Sequence, residues 1–337
     1  MKLEDKIVCL DRLGKWILTF DDSLQAAIAQ TYIHNKWFTK ENTRRALEGI
    51  ANQFLTKEKL TNWLEKEQLI DVTEGKKKIG LILAGNIPCV GFHDWLCVLV
   101  SGHEALVKLS DKDKFLLPIL NKYLNDIGFD TQTKFVERLN DMEAVIATGS
   151  NNTARYFESY FGKYPNIIRK NRNAIAILDG SETEQELISL GEDVFTFFGL
   201  GCRSTSKLYL PKGYDFEPLL NAFKVFDEFI HHNKYKNNFD FNYTLMIMNK
   251  IKHTSAGLIL LVEDDSLTSR IATLHYEYYD DLKKLQASII GQKENIQCIG
   301  SKMNLPELEV IELGQAQRPS LSDYADGVNT LAFLKSL

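Results

Sequence analysis

Apolar residues recur every three or four positions through the first part of the chain. Leu24, Ala27, Ile28 and Tyr32 form one such stripe, and Ala46, Leu47, Ile50 and Phe54 form another; Trp63 and Leu64 lie in a further helix-favouring stretch. This period gathers apolar side chains on one face of a helix and predicts a helical region over residues 23–70. The pattern then changes. IGLILAG, residues 79–85, is a short apolar run ending in glycine, the form of a strand buried on both faces. A helix-length segment, GFHDWLCVLVSG, precedes a second such run, EALVKLS. DKDKFLLPILNKYLNDIGF reads as an amphipathic helix with Pro118 as an early-turn or kink residue. MEAVIATGS predicts a third strand and NNTARYFESYFGK a third helix.

The alternation continues. NAIAILDG, residues 173–180, predicts a strand, and a helix from about Glu184 to Phe198 places Leu187, Leu190, Val194 and Phe198 on one stripe. Gly199-Leu200-Gly201 stops it, Cys202 follows, and KLYLP predicts the next strand. Residues 215–250 read as mostly helical, interrupted by the polar HHNKYKNNFDFN. AGLILLVED (256–264) predicts a strand, SRIATLHYEYYDDLKKLQASIIG a helix and NIQCIGS a short strand, before an irregular tail that ends in GVNTLAFLKSL. Strands and helices alternating at this spacing imply βαβ units: an α/β chain with mostly parallel sheets behind a helical N-terminal region. Topology, not composition, sets a domain boundary near residue 170.

Composition narrows the function. The net charge of −5 over 337 residues argues against a nucleic-acid surface, which needs clustered Lys and Arg. No apolar run approaches a membrane span, and the first 20 residues carry early acids rather than the apolar core of a signal peptide. Five cysteines at wide, irregular spacing form neither a disulfide framework nor a zinc pattern, so a reduced, cytoplasmic protein without metal is expected. Cys9 and Cys298 read as strand residues, Cys89 and Cys97 as core packing.

The familiar nucleotide and hydrolase fingerprints, GxGxxG, GxxxxGK[ST] and GxSxG, are absent. Four short pieces instead stand at predicted strand or helix ends: AGNIP (84–88), VKLS (107–110), TGS (148–150) and GLGC (199–202). In open α/β sheets, ligands bind outside the carboxyl ends of the strands. Taken singly, each piece reads as a cap or a turn, and Cys202 as a small buried hydrophobe.

Taken in order, they resemble the aldehyde dehydrogenase superfamily. There an Asn precedes an apolar-Pro pair, a Lys ends the next strand, a Gly-Ser opens a later helix, and the nucleophilic Cys lies just before a strand. ILAGNIPCVGFHDWLCVLVSGHEALVKLSDKD, FFGLGCRSTSKLYLP and AQRPSLSDYADGVNTLAFL look most like the LuxC-like acyl-CoA reductases, over residues 78–337. The resemblance implies an aldehyde-dehydrogenase-like fold of two α/β domains. Residues 1–170 would hold the helical region and the nicotinamide-dinucleotide-binding domain, 171–310 the catalytic domain, and 311–337 a segment returning to the cofactor domain.

It also implies a chemistry: NADPH-dependent reduction of a fatty acyl-CoA thioester to the aldehyde. Cys202 would attack the thioester carbonyl and carry the acyl group. Asn86 and the Cys202 backbone N–H would donate to the oxyanion, and Arg203 would favour the thiolate. Lys108 and Ser110 would hold the adenosine ribose or its phosphate, and Gly149 and Ser150 would flank the pyrophosphate. Asp111 would repel a 2′-phosphate, which keeps NADH open. Aldehyde-oxidising members carry a glutamate base on the strand before the cysteine. IIRKNRNAIAIL, the corresponding stretch, has none, which suits transfer to or from coenzyme A rather than water. His93, His103 and His275 are base candidates by residue type; in LHYEYY, packing is the better reading for His275. The implied partners are an activated acyl substrate, an acyl-protein synthetase and further copies of the chain. The alternatives are an inactive subunit of such a complex, or an acyl-transferring one.

Overall fold

Four helices open the chain: α1 (Leu3–Ile17), α2 (Asp22–His34), α3 (Lys40–Phe54) and α4 (Lys57–Lys66). Asp21, Thr39 and Thr56 cap the last three, each accepting a first-turn N–H that has no intrahelical partner. The computed structural model describes residues 1–69, 75–255 and 257–337. Ile70, the end of the predicted helical region, and Ala256, the start of a predicted strand, lie outside the described residues. In α1, Ile7, Leu10, Leu13 and Ile17 form a buried stripe, and Cys9 packs beside it in a helix, not in a strand as its sequence suggests.

The chain divides into two units, Met1–Asn171 with Pro319–Leu337, and Arg172–Arg318. The first unit holds a parallel sheet made of β1 (Lys78–Ile82), β2 (Glu104–Lys108), β3 (Thr133–Phe135), β4 (Ala144–Thr148) and β5 (Asn166–Arg169), in the order β3-β2-β1-β4-β5. Helices α5 (Phe92–Ser101), α6 (Leu116–Asp126) and α7 (Asn151–Phe161) make the crossovers. Pro118 falls in the first turn of α6, where its missing N–H costs nothing. The chain runs outward from β1 to β3, then restarts at β4 on the other side of β1. This makes β1/β4 a topological switch point. Gly80 of β1 permits the return, since a Cβ there would lie 2.9 Å from Leu139 of the crossing segment.

The second unit holds β6 (Asn173–Ile177), α8 (Glu184–Phe195), β7 (Thr205–Pro211), α9 (Phe216–Phe223), α10 (Asn233–Met248), β8 (His253–Ser255), β9 (Leu260–Glu263), β10 (Thr273–Tyr279), α11 (Leu282–Gly291) and β11 (Ile296–Gly300). Its sheet runs β11-β6-β7-β10-β9-β8, parallel except for β8 against β9. Three expectations are corrected here. The stretch SRIATLHYEYY is not helical: Thr273–Tyr279 pairs with β7 and β9, as its β-branched and aromatic residues favour, and only Leu282–Gly291 is a helix. His275 is therefore a strand residue. The polar HHNKYKNNFDFN does not interrupt the helices but starts α10, with His232 as N-cap and a Lys236–Asp240 ion pair at 2.8 Å. Finally, α8 ends at Phe195, before the glycines.

Residues 311–318 stay with the second unit, and the chain re-enters the first at Pro319. There α12 (Thr330–Lys335) buries Leu331 and Leu334, and Thr330 accepts from Arg169, which also pairs with buried Asp94. Among the described residues, no helix is long and apolar enough to cross a membrane.

Candidate active site

In the first unit, five of the six singled-out residues stand at the carboxyl ends of adjacent strands. Asn86 lies in the bend after β1, Lys108 ends β2 with Ser110 two residues on, and Gly149 and Ser150 join β4 to α7. The first two loops interlock: a Cβ on Gly85 would lie 2.4 Å from Ser110 Oγ and 3.2 Å from the Lys112 Cβ, so only glycine fits beside Asn86. Three residues beyond Asn86, the Cys89 N–H donates to Asp113 Oδ2 at 2.7 Å, holding a cysteine whose φ is +53°. Asp113 is buried, and its Oδ1 has no hydrogen-bond partner. Burial raises its carboxyl to about 6, opposed by the Cys89 bond.

Asp111, which threatened a 2′-phosphate, is not isolated. Lys114 Nζ lies 3.0 Å from its carboxylate and holds the group below the usual carboxylate range. Ser150 caps α7, its hydroxyl accepting from the Thr153 N–H at 3.2 Å. The donor set at this edge suits a dinucleotide: lysines at 108 and 112 for phosphate, a Gly-Ser helix start, and closely approached backbone at a switch point.

Cys202 belongs to the second unit. After α8, Phe197, Phe198 and Gly199 take left-handed φ values of +55°, +58° and +72°. Such a run is costly for phenylalanine. Packing holds it, with Phe198 against Phe229, His232 and Tyr235. The chain then enters a turn in which the Ser204 N–H donates to the Gly201 carbonyl at 3.0 Å, leaving half-buried Cys202 at its corner. The Arg203 guanidinium donates to the Ala316 carbonyl at 3.4 Å. Cys89 and Cys97 are fully buried, which pushes both thiols well up.

The histidines are occupied structurally. His103 accepts from the Lys77 N–H through Nδ1, so Nε2 carries the proton and donates to the Leu334 carbonyl; burial lowers its pKa. His93 sits among Phe54, Trp63 and Tyr324, with Nε2 on the Leu321 carbonyl, and His275 Nδ1 lies 3.0 Å from the Ser266 carbonyl. Sequence reasoning missed Asp113 and Asp193. For Asp193 there was a signal, an acid three residues after Leu190 on the apolar stripe of α8; Asp113, within DKDK, gave none.

No family description matches the chain, and no curated protein sequence does. Solved structures do. Aldehyde dehydrogenase 21 from Physcomitrella patens, in complex with the reaction product succinate, superposes with a TM-score of 0.71 at 10% identity, over 100% of this chain and 84% of that one. The fold is that of the aldehyde dehydrogenases. An aldehyde dehydrogenase C mutant from Pseudomonas syringae, complexed with NAD+ and octanal, gives 0.65 at 11% identity over 90% of this chain and 73% of that one. An acetylating aldehyde dehydrogenase from Geobacillus thermoglucosidasius gives 0.60 at 9%, over 90% and 77%. At these identities the aldehyde dehydrogenase likeness concerns architecture alone.

Proposed function

We propose that the chain is a nicotinamide-dependent oxidoreductase that reduces an acyl-CoA thioester to the aldehyde, in the manner of the LuxC-like reductases. The observation that carries this reading is the place of Cys202: half-buried, on a tied turn just before a central strand of an aldehyde-dehydrogenase fold. The missing glutamate in residues 167–178 supports a thioester over a water-dependent route.

The Cys202 thiolate attacks the acyl carbon, forming a C–S bond, and coenzyme A leaves as the thiolate and takes up a proton. The Cys202 N–H serves as an oxyanion donor. Lys108, Ser110, Gly149 and Ser150 would hold the dinucleotide, which when bound would supply hydride to the acyl carbon. Cys202 would then leave as the thiolate from the reduced acyl-enzyme, releasing the aldehyde. Lys114, by neutralising Asp111, supports NADPH, with NADH as the competitor to measure. An acyl-activating synthetase as partner, self-association and a cytoplasmic setting belong to the same reading.

The test is intact mass after exposure to long-chain acyl-CoA, with loss of reduced-nicotinamide absorbance followed in parallel. One acyl group on Cys202 and consumption of NADPH or NADH are expected. Cys202→Ala should take up no acyl group and lose at least about a thousandfold in rate. Acylation without cofactor consumption would indicate an acyl-transferring protein instead.

A further inference from the structure

The Cys202 turn is tied from a distance. Its own closure is double: the Ser204 N–H donates to the Gly201 carbonyl at 3.0 Å, and the Gly201 N–H donates back to Ser204 Oγ at 3.3 Å. A strap, residues 312–317, then grips both residues that follow the cysteine. Arg203 Nη1 donates to the Ala316 carbonyl at 3.4 Å, and Gln317 Nε2 donates to Ser204 Oγ at 3.2 Å. The strap is held in turn by Asp193 of α8. Its Oδ2 accepts from the Gly314 N–H at 2.7 Å and its Oδ1 from the Ala316 N–H at 3.0 Å. Asp193 is only 1% exposed, so a carboxylate has been placed on a helix face that otherwise buries Leu187, Leu190 and Val194. Gly314 is shaped to this contact: φ is +88°, and a Cβ would lie 2.9 Å from Ser189 Cβ.

The buried carboxyl accepts from alternate N–H groups and so pins the strap at Gly314 and Ala316; the Ala316 carbonyl follows that pinned N–H on the side of Gln317, whose side chain is itself tied to Ser204. That carbonyl orients Arg203. We propose that Asp193 is a positioning residue for the reactive turn, acting through the strap to set Arg203 and Ser204 beside Cys202. The catalytic weight of this assignment rests on Cys202 being the acyl-carrying thiol; the mechanical coupling does not.

Hydrogen exchange of the full chain, read by mass spectrometry, tests it. In Asp193→Ala the amides of 312–317 and of 200–205 should exchange faster together, by about tenfold or more, while β6 and β11 keep wild-type rates. Asp193→Asn, which retains one acceptor, should fall between. Faster exchange of the strap alone, with the turn unchanged, overturns the proposal and leaves Asp193 a local anchor. Should Asp193→Ala fail to fold, Gln317→Ala decides: it spares both Asp193 bonds, and exchange at 201–204 must still rise. With acyl-CoA, Asp193→Ala should acylate Cys202 at least about tenfold more slowly at unchanged KM for NADPH. A wild-type chain that takes up no acyl group sinks the acyl-CoA reading, while exchange still judges the coupling.

Discussion

Asp193 and Asp113 are buried carboxyls whose environments oppose ionisation. Burial raises Asp193 to about 7, against the lowering effect of the Gly314 and Ala316 N–H bonds; Glu192 adds to the rise and Arg318 counters it. An acid whose folded pKa exceeds its unfolded value contributes stability that is complete below about pH 4 and is lost as pH rises through the folded value. Asp113 acts in the same sense, its loss setting in above about pH 4 and running up to its folded value of about 6. Urea unfolding should show it. Wild type should gain stability relative to Asp193→Asn as pH is lowered from about 8 to about 5, where the buried charge is neutralised. A difference between the two proteins that does not change with pH would refute the shift. Surface acids such as Glu143 and Glu186, held low by bonds to neighbouring N–H groups and lysines, contribute the opposite slope in both proteins and cancel from the comparison.

The junction from α8 to β7 is where an element, rather than a residue, does the positioning. Phe195 stacks on Phe226 and meets Phe223 edge-on, and this cluster seats the helix end that delivers the left-handed turn. Gly191 makes the seat possible, since a Cβ there would lie 2.2 Å from the Phe226 ring. Gly191→Ala gains about 1 kcal/mol of helix propensity. It also forces the Phe226 ring, packed against Phe195 and Phe229, to move, at roughly 1–3 kcal/mol, so net destabilisation is expected in thermal unfolding. A higher midpoint would show that the ring can yield. The sequence made much of this element legible. The apolar stripe located the helix, though not its end at Phe195, and the glycines located the turn before the strand. It did not show that Phe197 and Phe198 adopt the left-handed backbone, because aromatic packing from residues 223–235 overrides their local preference. β10 was obscured for a related reason: its aromatic alternation runs directly into the amphipathic α11. β3 and β5, at three and four residues, are too short to carry a period. The strap was invisible because its partners lie more than 110 residues away.

At the scale of the molecule, alternating strands and helices were enough to read βαβ units and parallel sheet, whereas two α/β domains were implied by the family resemblance. The chain's return to the first unit was not readable from periodicity, for its tail is mostly irregular. Yet that tail buries Leu321, Tyr324, Leu331 and Leu334 in the first unit's core, and Trp63 donates to the Tyr324 hydroxyl at 2.9 Å. Each such leucine is worth about 1.5–3 kcal/mol of burial, against a total stability of about 5–15 kcal/mol. A chain ending at Arg318 should therefore lose the first unit's cooperative unfolding transition; a calorimetric trace matching that of the full chain would refute this. The same arrangement inverts the usual order of completion during synthesis, in which the segment made first folds first. The second unit has all its residues once Arg318 has been made, whereas the first, begun at Met1, waits for α12. The thiol-bearing unit can therefore close from one continuous stretch of chain, while the other must join two stretches that the whole of its neighbour separates in sequence.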